Sequence, residues 1–177
     1  AAAVVRLTRV AAGRAGVPIA GAMLRLLAKL AQDADSPRVT SRAVDRVYDI
    51  KSRSRHKPLS LLIESVDQAE DLARPLPEAF YHLARKFWPG PLTIIVAAAS
   101  RLPLKVTANT GNVALRVPSA KIPLSVVKAA GIPITATSAN LSGAVECTTA
   151  EQVRDQLQER IALIVDGGTS PRDIAST

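Results

Sequence analysis

Positive charge is concentrated in one short stretch of the sequence. Within seven residues this stretch has five cationic or potentially cationic side chains: Lys51, Arg53, Arg55, His56 and Lys57. Arginine offers a forked set of donors and lysine a compact charge, a combination that is common around polyphosphates. A solvated loop after a helix would show the same composition, because cations near a helix C-terminus are favoured by the helix dipole. The stretch therefore indicates either a phosphate or RNA site or an exposed basic loop.

A second polar cluster consists of small hydroxyl and amide side chains that follow an apolar run. It includes Thr137, Ser138, Asn140 and Ser142. Backbone amides and side-chain oxygens in such a segment can close around a ligand. A plain turn or a helix cap would have the same composition, so the cluster alone leaves both interpretations open.

Arg116 stands in an otherwise apolar segment, between Leu115 and Val117. A charged side chain in that setting is costly unless it is paired. We therefore expect Arg116 to face an anion, which could be a substrate or a structural carboxylate. The polar segment Asp166-Gly167-Gly168 is the fourth candidate and predicts a flexible loop.

The sequence lacks the patterns typical of metal binding, nucleophilic catalysis and two common nucleotide-binding loops. His56 and His82 are isolated, Cys147 is the single cysteine, and neither a G-x-x-x-x-G-K nor a G-x-G-x-x-G pattern occurs. We therefore predict neither a metal site nor a nucleophile–base pair, and we assign no catalytic residue. Trp88 is interpreted as a core anchor beside a turn.

The elements that must position these clusters alternate between helices and strands. Apolar spacing and capping patterns predict helices over residues 40–53, 65–73, 77–87, 123–130 and 149–160. Short apolar runs predict strands over residues 58–63, 92–97, 113–117, 132–137 and 161–165. One predicted helix has an apolar face formed by Phe80, Leu83, Ala84 and Phe87. We therefore predict an α/β fold with a twisted mixed central sheet flanked by helices.

Composition limits the class of protein. The chain has 177 residues with 47% hydrophobic and 21% charged residues, which suits one globular domain. A formal charge of +8 attracts polyanions and makes such binding salt-sensitive, but a protein that is merely basic would have the same charge, so charge alone decides little. Apolar runs end well short of the roughly 20 residues that a membrane span requires, so we predict no membrane association.

Taken in order, five segments resemble the YrdC (TsaC) family of threonylcarbamoyl-AMP synthases. They are Ile50-Lys51-x-Arg53 with Lys57-Pro58-Leu59, Trp88-Pro89-Gly90-Pro91-Leu92-Thr93, Ala114-Leu115-Arg116-Val117-Pro118, Thr137-Ser138-Ala139-Asn140-x-Ser142-Gly143, and Asp166-Gly167-Gly168 with Ser176-Thr177. The resemblance covers residues 42–177 and leaves 1–41 as an atypical N-terminal segment of a single domain, 1–177. It implies a YrdC-like fold with a concave basic surface.

The resemblance also implies an activity. The family makes threonylcarbamoyl-adenylate and pyrophosphate from L-threonine, bicarbonate and ATP, for threonylcarbamoyladenosine modification of tRNA. The resemblance assigns ATP binding to Lys51, Arg53, Asn112, Ser138 and Asn140. It assigns threonine binding to Lys57, Arg116 and Ser176. The implied setting is the cytoplasm, with Mg²⁺ accompanying ATP and with tRNA or double-stranded RNA and threonylcarbamoyl-transfer proteins as partners.

The N-terminal segment departs from the family pattern. The family has a Pro-Thr-Asp-Thr motif there, whereas this chain continues from Val17-Pro18 into residues rich in Ala, Leu and Arg. We hypothesise that residues 19–31 are altered relative to the family. The alternative function is a YrdC-fold protein that binds double-stranded RNA or tRNA without synthase activity, and a fragment without function is a third possibility.

Overall fold

The structure is a computed structural model that describes residues 41–161 and 164–169. In these residues the α-helices are α1 (Ser41–Lys51), α2 (Val66–Leu72), α3 (Glu78–Phe87), α4 (Leu104–Thr107), α5 (Lys121–Ala130) and α6 (Ala150–Leu157). The strands are β1 (Ser60–Leu62), β2 (Ile94–Ala97), β3 (Asn112–Arg116) and β4 (Ile134–Ala136), and a 3-10 turn at Gln158–Arg160 follows α6. Among the helices of this described part, none has the length and apolarity needed to cross a membrane.

The four strands form a mixed sheet in the order β2-β3-β1-β4. The central pair β1 and β3 is parallel, whereas β4 and β2 are antiparallel to their neighbours. This confirms the predicted α/β class with a mixed sheet. The antiparallel register of Ser60 with Ala136 places the loop that precedes β1 beside the loop that follows β4. The basic stretch and the hydroxyl-rich segment are those two loops.

Two capping contacts define where helices begin. The Ser65 hydroxyl accepts a hydrogen bond from the backbone amide of Gln68 at 3.3 Å, and Thr149 does the same for Gln152. The glutamine side chains then reach back one residue further than the cap and accept from the backbone amides of Glu64 and Thr148. Both predicted capping patterns are therefore confirmed, with orphan amides of the first turn satisfied by side chains.

The hydrophobic core lies on one face of the sheet. Leu61 and Leu115 of the central strands are fully buried, and they pack with Val44 of α1 and Phe80 of α3 in one cluster. Leu62 points to the other face because side chains alternate along a strand. It joins a smaller cluster formed by α5 and β4. Helices therefore cover parts of both faces.

Some sequence predictions of the fold were wrong. Leu83 and Phe87 are 40% and 41% exposed, so only the Phe80 and Ala84 side of the predicted apolar face of α3 is buried. The described residues of the predicted strand 161–165 are not in a strand, while residues 162–163 lie outside the described part. An apolar run becomes a strand only when a partner edge is within reach, and Ile161 and Ile164 instead line a cavity. The four-residue helix α4 was not predicted.

Candidate functional site

Lys51 is the last residue of α1 and is 4% exposed. Its ammonium group donates to the carbonyl oxygen of Ser138 and lies 3.4 Å from Asn140 Oδ1. Burial, together with the nearby positive charge of Arg53, lowers the pKa of Lys51 to about 8. Three residues of the predicted ATP set therefore meet at one place, although Lys51 lies more than eighty positions before Ser138 and Asn140 in the sequence.

The segment around Asn140 is held from two sides. Asn140 is buried and its amide donates to the Ala144 carbonyl oxygen at 2.7 Å, while the Ser142 backbone amide donates to the Lys51 carbonyl oxygen at 2.9 Å. From α6, the Gln156 side chain accepts from Leu141 N at 3.1 Å and donates to a further carbonyl of the same loop. Sequence analysis missed Gln156, because a single glutamine on an amphipathic helix shows no distinguishing pattern.

A cavity of about 960 Å³ opens beside this contact. Lys51, Thr137, Ser138 and Ala139 contribute its polar wall at the end of α1 and β4. Its other walls come from the edge of β4, the start of α5, the buried side of α6 and the loop 164–169. The volume lies within the range of sites that enclose small molecules. A wall with one buried cation and the hydroxyl groups of Thr137 and Ser138 suits an anionic ligand, while Asp166 places a carboxylate elsewhere in the lining.

Lys51 lines the cavity, whereas the rest of the basic stretch lies outside its lining. The guanidinium of Arg53 donates to the Pro58 carbonyl oxygen at 3.0 Å. Lys57 is exposed, and its backbone amide donates to Ser54 O at 3.1 Å. Arg55 is paired with two carboxylates of α1 and lies 5.8 Å from the centre of the Tyr48 ring. The stretch is thus a folded loop that presents Arg53 and Lys57 at its two ends.

Arg116 lies at the far end of β3, opposite Leu62 in β1, and Leu62 lines the cavity. Its Nε donates to the Gly90 carbonyl oxygen at 2.8 Å, and burial lowers the pKa of the guanidinium. Gly90 is fixed in turn because its amide donates to Val117 O at 2.9 Å. The Trp-Pro-Gly-Pro motif therefore shapes the surroundings of Arg116.

Trp88 has the anchoring position predicted for it. Its indole ring packs edge-on against Phe80 with the ring centres 5.5 Å apart, and its Nε1 donates to Leu92 O at 2.8 Å. Both ends of the motif are thereby attached to the core. A ring used in this way is not free to stack on a base.

The remaining predicted site residues lie elsewhere. Asn112 begins β3, exposed and outside the cavity lining, with its amide 3.4 Å from Thr110 O. It lies at the end of the sheet where β1 begins, whereas Arg116 lies at the opposite end. Ser176 lies outside the described residues. In residues 41–161 and 164–169, no three His, Cys, Asp or Glu side chains are grouped so that they could hold a metal ion.

Comparison with known proteins gives consistent relatives. A family model for Sua5/YciO/YrdC proteins, described as "Telomere recombination", matches residues 33–177. The threonylcarbamoyl-AMP synthase of Bacillus subtilis (strain 168) is 42% identical over 136 residues, and that of Pyrococcus abyssi (strain GE5 / Orsay) is 37% identical over 135 residues. Each alignment covers 76% of this chain, and 39% and 40% of the respective relative.

A solved structure agrees with these sequence matches. The structure of P. abyssi Sua5 complexed with L-threonine superposes with a TM-score of 0.74 at 36% identity. The superposition covers 77% of this chain and 40% of that chain. The chain thus spans about two fifths of the length of these relatives. The family model matches most of the residues, and the fold is shared at this identity. The chain therefore belongs to the Sua5/YciO/YrdC family.

Proposed function

We propose that this chain is a threonylcarbamoyl-AMP synthase domain that converts L-threonine, bicarbonate and ATP into threonylcarbamoyl-adenylate, pyrophosphate and water. The observation that carries the proposal is the contact of Lys51 with Ser138 and Asn140 at the wall of a cavity. The relatives named threonylcarbamoyl-AMP synthase support the reaction, and the relative solved with L-threonine supports the amino-acid substrate.

The residues suit the electrostatic demands of the reaction. A carbamate formed from threonine and bicarbonate attacks the α-phosphorus of ATP, so two anions must approach one another. Fixed positive charge and oriented donors lower that barrier more than a strong general base would. Lys51 and Arg53 are proposed to bind the phosphates of ATP, with Ser138, Asn140 and Asn112 holding the nucleotide. Their shared feature is a donor or amide group at the end of the sheet where β1 begins.

The threonine side of the reaction is assigned on the same basis. Lys57, Arg116 and Ser176 are proposed to contact threonine or the carbamate. Lys57 and Arg116 would supply positive charge for a carboxylate, and Ser176 a hydroxyl group. Mg²⁺ is proposed to enter with the triphosphate, because the described residues group no carboxylates that would hold it alone. No step of the reaction is assigned to the ion.

The proposed partners follow from the use of the product. Threonylcarbamoyl-adenylate serves a transfer to tRNA, so tRNA and threonylcarbamoyl-transfer proteins are proposed partners, with the cytoplasm as the compartment. The formal charge of +8 supports attraction to RNA. The chain is proposed to act as one domain over residues 1–177, with the family-like part at 42–177.

Pyrophosphate release tests the proposal directly. We expect release that requires ATP, threonine and bicarbonate together, and a loss of release in Lys51→Ala. Lys128→Ala removes an exposed lysine of α5 and controls for the change in net charge. Release that continues without threonine or bicarbonate would contradict the assigned substrates. Salt-sensitive RNA binding without any turnover would instead favour the RNA-binding alternative.

A further inference from the structure

Tyr48 touches both ends of the basic loop that joins α1 to β1. The side chain is 2% exposed and lies one turn before Lys51 on α1. Its carbonyl oxygen accepts from the Arg53 backbone amide at 2.9 Å. Its hydroxyl lies 3.0 Å from the Lys57 carbonyl oxygen and 2.9 Å from that of Lys105 in α4. One residue therefore contacts the two positions at which the loop begins and ends.

The other attachment of the loop to α1 is made in its middle, where Arg55 pairs with Asp45 and Asp49. Residues 54–58 are exposed, and the internal contact from Lys57 N to Ser54 O does not tie them to the rest of the chain. The Tyr48 hydroxyl is buried between the loop and α4, where burial raises the pKa of the phenol. A neutral hydroxyl in that place shares its one proton between two carbonyl oxygens that water reaches poorly.

We propose that Tyr48 is a positioning residue whose hydroxyl fixes the relative placement of Arg53 and Lys57. The proposal rests on the proposed function, in which Arg53 contacts ATP and Lys57 contacts threonine. If the two substrates must be held close enough to react, the loop that carries both contacts must keep one geometry. Without the hydroxyl, the Lys57 carbonyl loses its contact with α1, while the Arg53 end keeps its backbone link and Arg55 keeps its ion pairs with α1.

Tyr48→Phe tests this by removing a single oxygen atom. We expect the KM for threonine to rise about three- to tenfold, as expected for one lost neutral hydrogen bond, with a smaller change in the KM for ATP. The kcat should change less than the KM for threonine. Hydrogen exchange at the amides of residues 54–57 should accelerate in the ligand-free variant, because the loop opens more often.

Val44→Ala is the matched control. Val44 is fully buried one turn before Tyr48 on the same helix, so its truncation weakens the same core without touching the loop. We expect it to lower the thermal midpoint at least as much as Tyr48→Phe and to leave the KM for threonine unchanged. Both variants are assayed at a temperature at which circular dichroism shows them folded.

The outcomes separate this inference from the function on which it rests. Equal KM values in wild type and Tyr48→Phe, or an equal rise in both variants, would overturn the positioning role. Absence of pyrophosphate release in the wild type would overturn the proposed function. Hydrogen exchange then still decides whether the hydroxyl orders the loop, since unchanged exchange at residues 54–57 would refute it without any substrate.

Discussion

Substitution of Lys51 by methionine should change how stability depends on pH. The methionine keeps the length and apolar stem of the side chain but removes the titrating group. The pKa of Lys51 is lowered from 10.5 to about 8, mainly because burial penalises its charge. A lowering of that size corresponds to about 3 kcal/mol between the two protonation states. Because Lys51 borders an open cavity that admits water, solvent screening reduces the expected effect to about 2 kcal/mol.

The sign follows from proton linkage. Below pH 8 the folded and unfolded chains both hold the Lys51 proton, so the cost of burying the charge is fully present. Between pH 8 and 10.5 the folded chain has released that proton while the unfolded chain retains it. The unfolded state then binds more protons, and the free energy of unfolding of the wild type rises with pH. Lys51→Met cannot show this rise.

Urea unfolding at intervals from pH 7 to 10.5 measures the effect. The free energy of unfolding of the wild type minus that of Lys51→Met should increase by about 2 kcal/mol over this range. Groups common to both proteins cancel in the difference. Lys128→Met controls for the loss of one exposed lysine. Parallel curves for wild type and Lys51→Met would refute the claim that Lys51 is held as a buried cation.

The same difference responds to nucleotide if Lys51 binds phosphate. Negative charge beside the ammonium group raises the pKa of Lys51, so saturating ATP should move the rise in the difference to higher pH. Pyrophosphate alone should have the same effect. A pH profile that ATP leaves unchanged would contradict contact between Lys51 and the phosphates, even if the protein is active.

Three further predictions concern the surroundings of the site. Gly90→Ala should destabilise the fold by several kcal/mol in urea unfolding, because its new Cβ would lie 2.0 Å from the Phe87 carbonyl oxygen. Gln156→Leu should accelerate amide exchange in residues 141–145 and lower the unfolding free energy by about 1–2 kcal/mol, since two hydrogen bonds to that loop are lost. Asp45→Asn should remove the stability that the Asp45 carboxylate contributes. The pKa of Asp45 is lowered chiefly by its hydrogen bond from Lys105, so this contribution is present above pH 4 and disappears as pH falls through the lowered pKa. An acid unfolding midpoint that is identical in Asp45→Asn and wild type would contradict the last prediction.

Local patterns predicted most of the elements because capping and periodicity act over a few residues. The caps Ser65 and Thr149, the glycine after α5 (Gly131) and four of the five predicted strands lie where those patterns put them. Strands came out shorter than predicted where Pro58 and Pro133 stand, because proline has no amide for the ladder. The failed strand over 161–165 depended on a partner edge, which local sequence does not contain.

The site was predictable only in part, for a related reason. Contact between Lys51 and Ser138 depends on the antiparallel pairing of β1 with β4, and residue types alone do not specify this pairing. The motifs single out donors and cations because such groups are chemically necessary for anion binding, and the binding roles of these residues stay predictions. Supporting residues such as Tyr48 and Gln156 act through backbone groups and leave no chemical signature in sequence.

The described contacts of the cations suggest how positive charge is kept available in this fold. Lys51 and Arg53 both donate to backbone carbonyl oxygens. Arg55 and Lys105, in contrast, share one carboxylate on the outer side of α1. A carbonyl satisfies a donor without cancelling its charge, whereas a carboxylate neutralises the field that an anionic substrate would experience. If the domain binds ATP as proposed, a donor on Lys51 or Arg53 exchanges a neutral carbonyl acceptor for a charged phosphate oxygen, which favours binding.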